Sequence, residues 1–223
     1  MINSFFYPVL VRQDISAYYK KEGEFYATYN CEKNYINISK DCQFRCVYCD
    51  AHIDECGGER FSLDHFRPTD IFSGKFNGVL KTHPFNLHLS CQKCNVLKTN
   101  DWKGCTDTID GVTHLSGLGY VDRFKDDITR YIRVDDNGLV NSISSNGPGE
   151  YMIRKMLLNR TNRVYIRKRR IVKEKASRIF NLLLNRQSQL MYSNKFGTDE
   201  HKDEISKLLE LFDRFKRLNL LKL

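Results

Sequence analysis

The sequence predicts an α+β fold in which a small metal-braced module of short strands and a short helix is flanked by further short strands and followed by a basic helical region. Three observations carry that prediction. Two C-x-x-C pairs, Cys46-Val-Tyr-Cys49 and Cys91-Gln-Lys-Cys94, bracket one stretch of chain. Asp136-Asn137-Gly138 separates RYIRV from GLVNSI, a strong hairpin signal. Beyond Gly149 the apolar spacing becomes helical and the charge strongly positive.

Four parts follow in order. Residues 1–41 are rich in aromatic side chains, Phe5, Phe6, Tyr7, Tyr18 and Tyr19 among them. They read as a segment packed on the core, with base stacking as the alternative use of such rings. Residues 42–105 form the metal-braced core, residues 106–148 a β-hairpin region and residues 149–223 the basic helical C-terminal region.

Within the core, Arg60–His65 alternates Phe61 and Leu63 with polar neighbours after the Gly57-Gly58 turn, a short strand signal. Asn86–Lys98 turns helical near Cys91, so the order is strand, loop, short helix. In the C-terminal region Tyr165, Val172, Ala176, Ile179 and Leu183 share one stripe and Arg163, Arg167, Arg170 and Arg178 another. A break at Ser193–Thr198 precedes a last amphipathic helix with Ile205, Leu208, Phe212 and Phe215 inward. The apolar end Leu218–Leu223 reads as a docking surface or as the last turn of a core helix.

With 223 residues and 26.2 kDa there is room for one core and a helical appendage. A composition 41% hydrophobic and 28% charged is that of a soluble globular protein, and no stretch approaches the roughly 20 apolar residues that span a bilayer. The start, MINSFFYPVLVRQD, lacks a charged leader region and a cleavage pattern and reads as part of the fold. The eight cysteines, without a secretory signal and with matched pairs among them, point to bound metal in a reducing, cytoplasmic setting rather than to disulfides.

A net charge of +9 favours a polyanionic partner. Between Tyr151 and Arg186 twelve lysines and arginines stand against Glu174 alone, which makes the remainder of the chain slightly acidic. On this reading Arg163, Arg167 and Arg170 track a phosphate backbone; a solvated helix face is the alternative.

Cys46, Cys49, Cys91 and Cys94 have the spacing that offers paired thiolates to tetrahedral zinc, here clamping the two ends of a long intervening segment. Cys31, Cys42, Cys56 and Cys105 lack such partners and read as core residues or spare thiols. The braced segment holds Phe61-Ser-Leu-Asp64-His65-Phe-Arg67-Pro68. Adjacent residues at a strand end point in different directions, so Asp64 is free to hold a cation while His65 faces an attacking water. Arg67 and Lys98 flank this pair as candidate phosphate contacts, whereas His52, His83 and His88 read as structural or surface residues.

DHFRP followed by NLHLSCQKCNVLK resembles the signature of HNH nucleases, within the zinc-braced subset that carries paired C-x-x-C knuckles on a ββα-metal core. The likeness covers roughly residues 42–105. It implies a DNA endonuclease with Asp64 as a magnesium (or manganese) ligand, His65 as general base and Asn86 as the residue that orients the histidine and its loop. Asn95 stands at the final position, often histidine in the family; the HNH domain of RNA-guided CRISPR effectors resembles this H-N-N arrangement, with the asparagine a metal ligand. An amide oxygen suits a hard cation. The stretch LLNRTNRVYIRKRR is similar to the tail of PtuB-like HNH nucleases of Septu and certain retron anti-phage systems, which implies an ABC-type ATPase partner. The other reading of the whole chain is a non-catalytic zinc module that binds nucleic acid or a protein partner.

Overall fold

The chain is described by a computed structural model covering residues 5–21, 24–25, 28–192 and 197–218. Contacts divide it into two units, Met1–Ile166 and Arg167–Leu223.

The first unit opens with a segment that lies along the core. Arg12 donates to the Phe85 and Leu87 carbonyls at 3.1 and 3.0 Å and pairs with Asp41 at 3.3 Å. Asp41 also accepts from the Tyr18 hydroxyl, and Phe6, Tyr7, Tyr18 and Tyr35 are buried. Strands β1 (Tyr19–Lys21) and β2 (Glu24–Phe25) form a short antiparallel pair before helix α1 (Glu32–Asp41).

Strand β3 (Ser62–His65) appears where alternation predicts it. Helix α2 (Thr69–Phe72) and irregular turns follow, and β4 (Leu87–Ser90) then returns antiparallel, Asp64 opposite His88 and His65 opposite Leu87. Strand β4 alternates Leu87 and Leu89 with His88 and Ser90, yet all four residues are buried, because its polar face is covered by the fold as well. Helix α3 (Gln92–Lys98) starts directly after it, giving a strand-strand-helix unit. The first cysteine pair docks on this unit through the backbone, Val47 N–H donating to Leu89 O at 3.0 Å.

Strands β5 (His114–Leu115) and β6 (Leu118–Gly119) pair next. Strands β7 (Ile132–Val134) and β8 (Val140–Ser142) form the expected hairpin, with Gly138 at φ 77° supplying the left-handed turn position. Helix α4 (Pro148–Lys155) packs on β6 and β8. The boundary between the two units, Ile166/Arg167, falls inside helix α5 (Thr161–Met191).

In the second unit the later part of α5 meets α6 (Asp199–Arg217). Leu208 and Phe215 are buried and Ile205 and Phe212 half-buried, in line with the amphipathic spacing. Within the α5 stripe Ala176 is buried and Leu183 half-buried. Tyr165, Val172 and Ile179 are exposed, and Phe180, outside that stripe, is the side chain whose ring meets Phe212 and Phe215 at 6.1 and 5.9 Å. A helix with apolar residues on several sides offers more than one stripe, and the neighbour that packs decides which is used. Residues 193–196 of the expected break and 219–223 of the apolar end lie outside the described residues.

Candidate functional site

Cys46, Cys49, Cys91 and Cys94 are buried, and their sulfurs all lie within 4.8 Å of one another. Cys49 and Cys91 Sγ are 3.8 Å apart, the spacing of about 3.8 Å that a tetrahedral ion with 2.3 Å metal–sulfur bonds imposes. Among the described residues this is the group of histidine, cysteine and carboxylate side chains that could hold a metal ion. The first pair reaches the site from a tight turn in which Cys46 N–H bonds Ala51 O and Asp50 adopts φ 61°; the second from the end of β4 and the first turn of α3.

Two arginines reach the cluster. Arg163 donates through Nε to Cys49 Sγ at 3.2 Å and through Nη2 to Cys91 Sγ at 3.3 Å. Arg160 lies 3.4 Å from Cys94 Sγ and 3.7 Å from Cys91 Sγ. Hydrogen bonding from Cys46 brings the Cys91 thiol down to about 7, and bonds from the other cysteines together with Arg163 hold Cys49 low against the opposing effect of burial. Arg163 is thus an internal partner of the sulfurs, not the exposed phosphate contact its helical stripe suggested.

Asp64 and His65 lie at the end of β3. Asp64 is buried, with Oδ2 accepting from the Tyr48 hydroxyl at 2.5 Å and Oδ1 from the Lys98 ammonium at 3.3 Å. Lys98, on the last turn of α3, also donates to His65 O at 2.7 Å and ties the helix to the strand. Burial pushes the Asp64 carboxyl up, opposed by the Lys98 charge, and pulls Lys98 down.

His65 is half-buried beneath Tyr29, ring centroids 4.5 Å apart, and its Nε2 contacts Lys81 O at 2.9 Å. A carbonyl only accepts, so Nε2 carries the proton and the neutral ring keeps its lone pair on Nδ1. Burial lowers the His65 pKa below its ordinary value, which favours that neutral form.

Asn86 is buried between the two chain segments that lead into this corner. Its Oδ1 accepts from Arg67 N–H at 2.8 Å, and its Nδ2 donates to Arg67 O at 3.1 Å and Leu80 O at 2.9 Å. Leu80 precedes the residue whose carbonyl holds His65, so the amide fixes both the exit of β3 and the histidine's acceptor. Asn95 is half-buried on α3, three residues before Lys98.

The remaining expected contacts fall elsewhere. Arg67 is buried, donates to Gly111 O at 2.5 Å and stacks over Trp102 at 4.8 Å, so like Lys98 it is internal to the fold rather than exposed to a phosphate. Arg167 is buried and Arg170 half-buried. His52 and His83 accept backbone N–H groups as caps of short turns. His88, buried against Phe66 with centroids 4.4 Å apart, is driven well below its usual pKa by burial and by the surrounding cations Arg12, Lys98, Arg123 and Arg67. Tyr48, Arg160 and the Lys81 carbonyl are the participants that sequence reading passed over. Tyr48 alone carried a signal, as an aromatic inside the first cysteine pair.

No protein-family model, curated protein or solved structure matches this chain. Among the described residues, no helix is long and apolar enough to cross a membrane.

Proposed function

We propose that the chain is a metal-dependent endonuclease of the HNH type that hydrolyses phosphodiester bonds of DNA. The observation that supports this most is the linkage of Asp64-His65, at the end of β3, to Asn86 through adjacent carbonyls of one loop, beside a cysteine cluster suited to zinc.

On this reading His65 takes the proton of a water through Nδ1 as the water oxygen attacks phosphorus and the phosphorus–oxygen bond to the leaving group breaks. Asp64 and Asn95 offer a carboxylate and an amide oxygen, a donor set that suits a hard divalent cation retaining several of its own waters. Magnesium or manganese, when bound, neutralises phosphate charge and stabilises the leaving oxygen. Lys98 already occupies Asp64 Oδ1, so a dication competes with an ammonium for it. The cysteines hold a structural zinc that takes no part in the chemistry. Exposed lysines of α5, Lys168, Lys173 and Lys175, meet the phosphate backbone in place of the buried Arg67, Lys98 and Arg163.

Nicking of plasmid and linear duplex DNA in magnesium or manganese, with an RNA arm, tests the proposal. His65→Ala abolishes cleavage and leaves zinc content and DNA binding intact; cleavage at the parent rate by that variant removes the mechanism. A second reading, the non-catalytic zinc module, draws support from the capture of Asp64 by Lys98 and Tyr48. It holds if the parent protein, alone and with a partner, binds DNA and never nicks it. The assignment to an anti-phage system with an ABC-type ATPase rests on the likeness of residues 157–170 and is tested by copurification from native cells.

A further inference from the structure

The two guanidinium groups on the cysteine cluster call for compensating negative charge on the sulfurs. Arg163 is only 5% exposed and Arg160 is half-buried, and burying a guanidinium is costly unless negative charge compensates it. Among the described residues neither has a carboxylate partner; both guanidinium groups face the sulfurs of Cys49, Cys91 and Cys94. Four thiolates around a divalent ion carry two surplus negative charges. Two arginines match them.

Arg160 also works in the opposite direction. Its Nη1 donates to Met156 O at 2.9 Å and Leu157 O at 3.2 Å, closing the turn that joins α4 to α5, while its Nη2 faces the sulfurs. That turn bends at Leu157, whose φ is 47°. One side chain therefore bridges the junction and the cluster.

We propose that Arg160 and Arg163 are the charge partners of a metal–tetrathiolate centre, so that metal loading and anchoring of the α4–α5 junction are a single event. The centre comprises four cysteines and two arginines, the arginines coming from the region whose positive charge otherwise reads as a nucleic-acid surface. The inference rests on metal binding by the cysteines and is independent of whether the chain cleaves DNA.

The test follows zinc release from the full-length protein to 4-(2-pyridylazo)resorcinol, with the cobalt-substituted protein monitored by its thiolate charge-transfer absorption. Arg160→Met and Arg163→Met each speed release on the order of 10- to 100-fold, the range for loss of a group supporting metal ligands, and the double variant exceeds either. Arg163→Lys retains part of the effect. Arg154→Met, which removes an exposed charge from α4 without touching sulfur, releases zinc at the parent rate. Hydrogen exchange at residues 156–164 rises when zinc is withdrawn. Should Arg163→Met fail to fold, Arg160→Met and Arg163→Lys carry the comparison. Parent-like release from the variants, or junction exchange indifferent to metal, overturns the proposal. A parent protein that takes up neither zinc nor cobalt overturns it together with the zinc reading, whatever the outcome of the cleavage assay.

Discussion

Asn86 and His65 hold successive carbonyls of one loop: Asn86 Nδ2 donates to Leu80 O and His65 Nε2 to Lys81 O, each at 2.9 Å. The amide thereby braces the loop whose next carbonyl meets the His65 ring.

Replacing Asn86 by alanine leaves the Leu80 and Arg67 carbonyls and the Arg67 N–H without their side-chain partner. Each buried group so orphaned costs about 1–3 kcal/mol. The prediction specific to positioning is spectroscopic. Nitrogen-15 shifts of His65 report a proton on Nε2 in the parent and a mixture of tautomers in Asn86→Ala, with cleavage reduced and zinc content retained. An unchanged tautomer would falsify the positioning role.

The Asp64–Lys98 pair is buried on both sides. Lys98→Met strands a carboxylate in the interior and is expected to destabilise the protein by about 3–5 kcal/mol in urea unfolding. Asp64→Asn combined with Lys98→Met costs less than the sum of the single changes. If Asp64 is a ligand for a divalent ion, magnesium raises the melting temperature of Lys98→Met more than that of the parent; equal shifts count against the ligand role.

Acid lability is expected from His88. Its folded-state pKa lies well below 6.5 because of burial, with Arg12, Lys98, Arg123 and Arg67 adding to the effect. Asp122 Oδ1 is the facing carboxylate, 3.9 Å from Nε2. The unfolded chain therefore binds the proton more readily, so stability is full above about 6.5 and falls as pH drops below it, by at most about 1.4 kcal/mol per pH unit. His88→Phe keeps a ring against Phe66 and flattens this slope between pH 7 and 5 in denaturant titrations. A slope unchanged in the variant assigns the lability to other groups.

Cys46→Ser or Cys94→Ser is predicted to abolish stoichiometric zinc and lower the melting temperature of the first unit, because metal bound only by the folded chain adds its binding energy to folding. Chelation of the parent protein has the same effect. Cys105→Ser, in a half-exposed loop outside the cluster, leaves both quantities unchanged. Zinc retained at parent stoichiometry by the cluster variants contradicts a four-cysteine site.

By itself the sequence determined the features that depend on local chemistry. The alternation around Phe61 and Leu63 marks β3, Asp136-Asn137-Gly138 supplies the turn between β7 and β8, and the matched C-x-x-C spacings identify the four cysteines that converge. Each is a property of a few neighbouring residues, fixed by side-chain period, backbone freedom or thiolate geometry.

Tertiary structure decided what each charged residue faces. Lys98 meets Asp64 across 34 positions, Arg163 meets Cys49 across 114, and the acceptor that orients His65 is a backbone carbonyl with no residue preference of its own. A lysine or arginine on a helix carries the same charge whether it turns to water or inward. Only the partner brought up by folding makes burial favourable, and that partner is distant in sequence. The basic region read as a polyanion surface therefore contributes its first two α5-proximal arginines, Arg160 and Arg163, to the cysteine cluster.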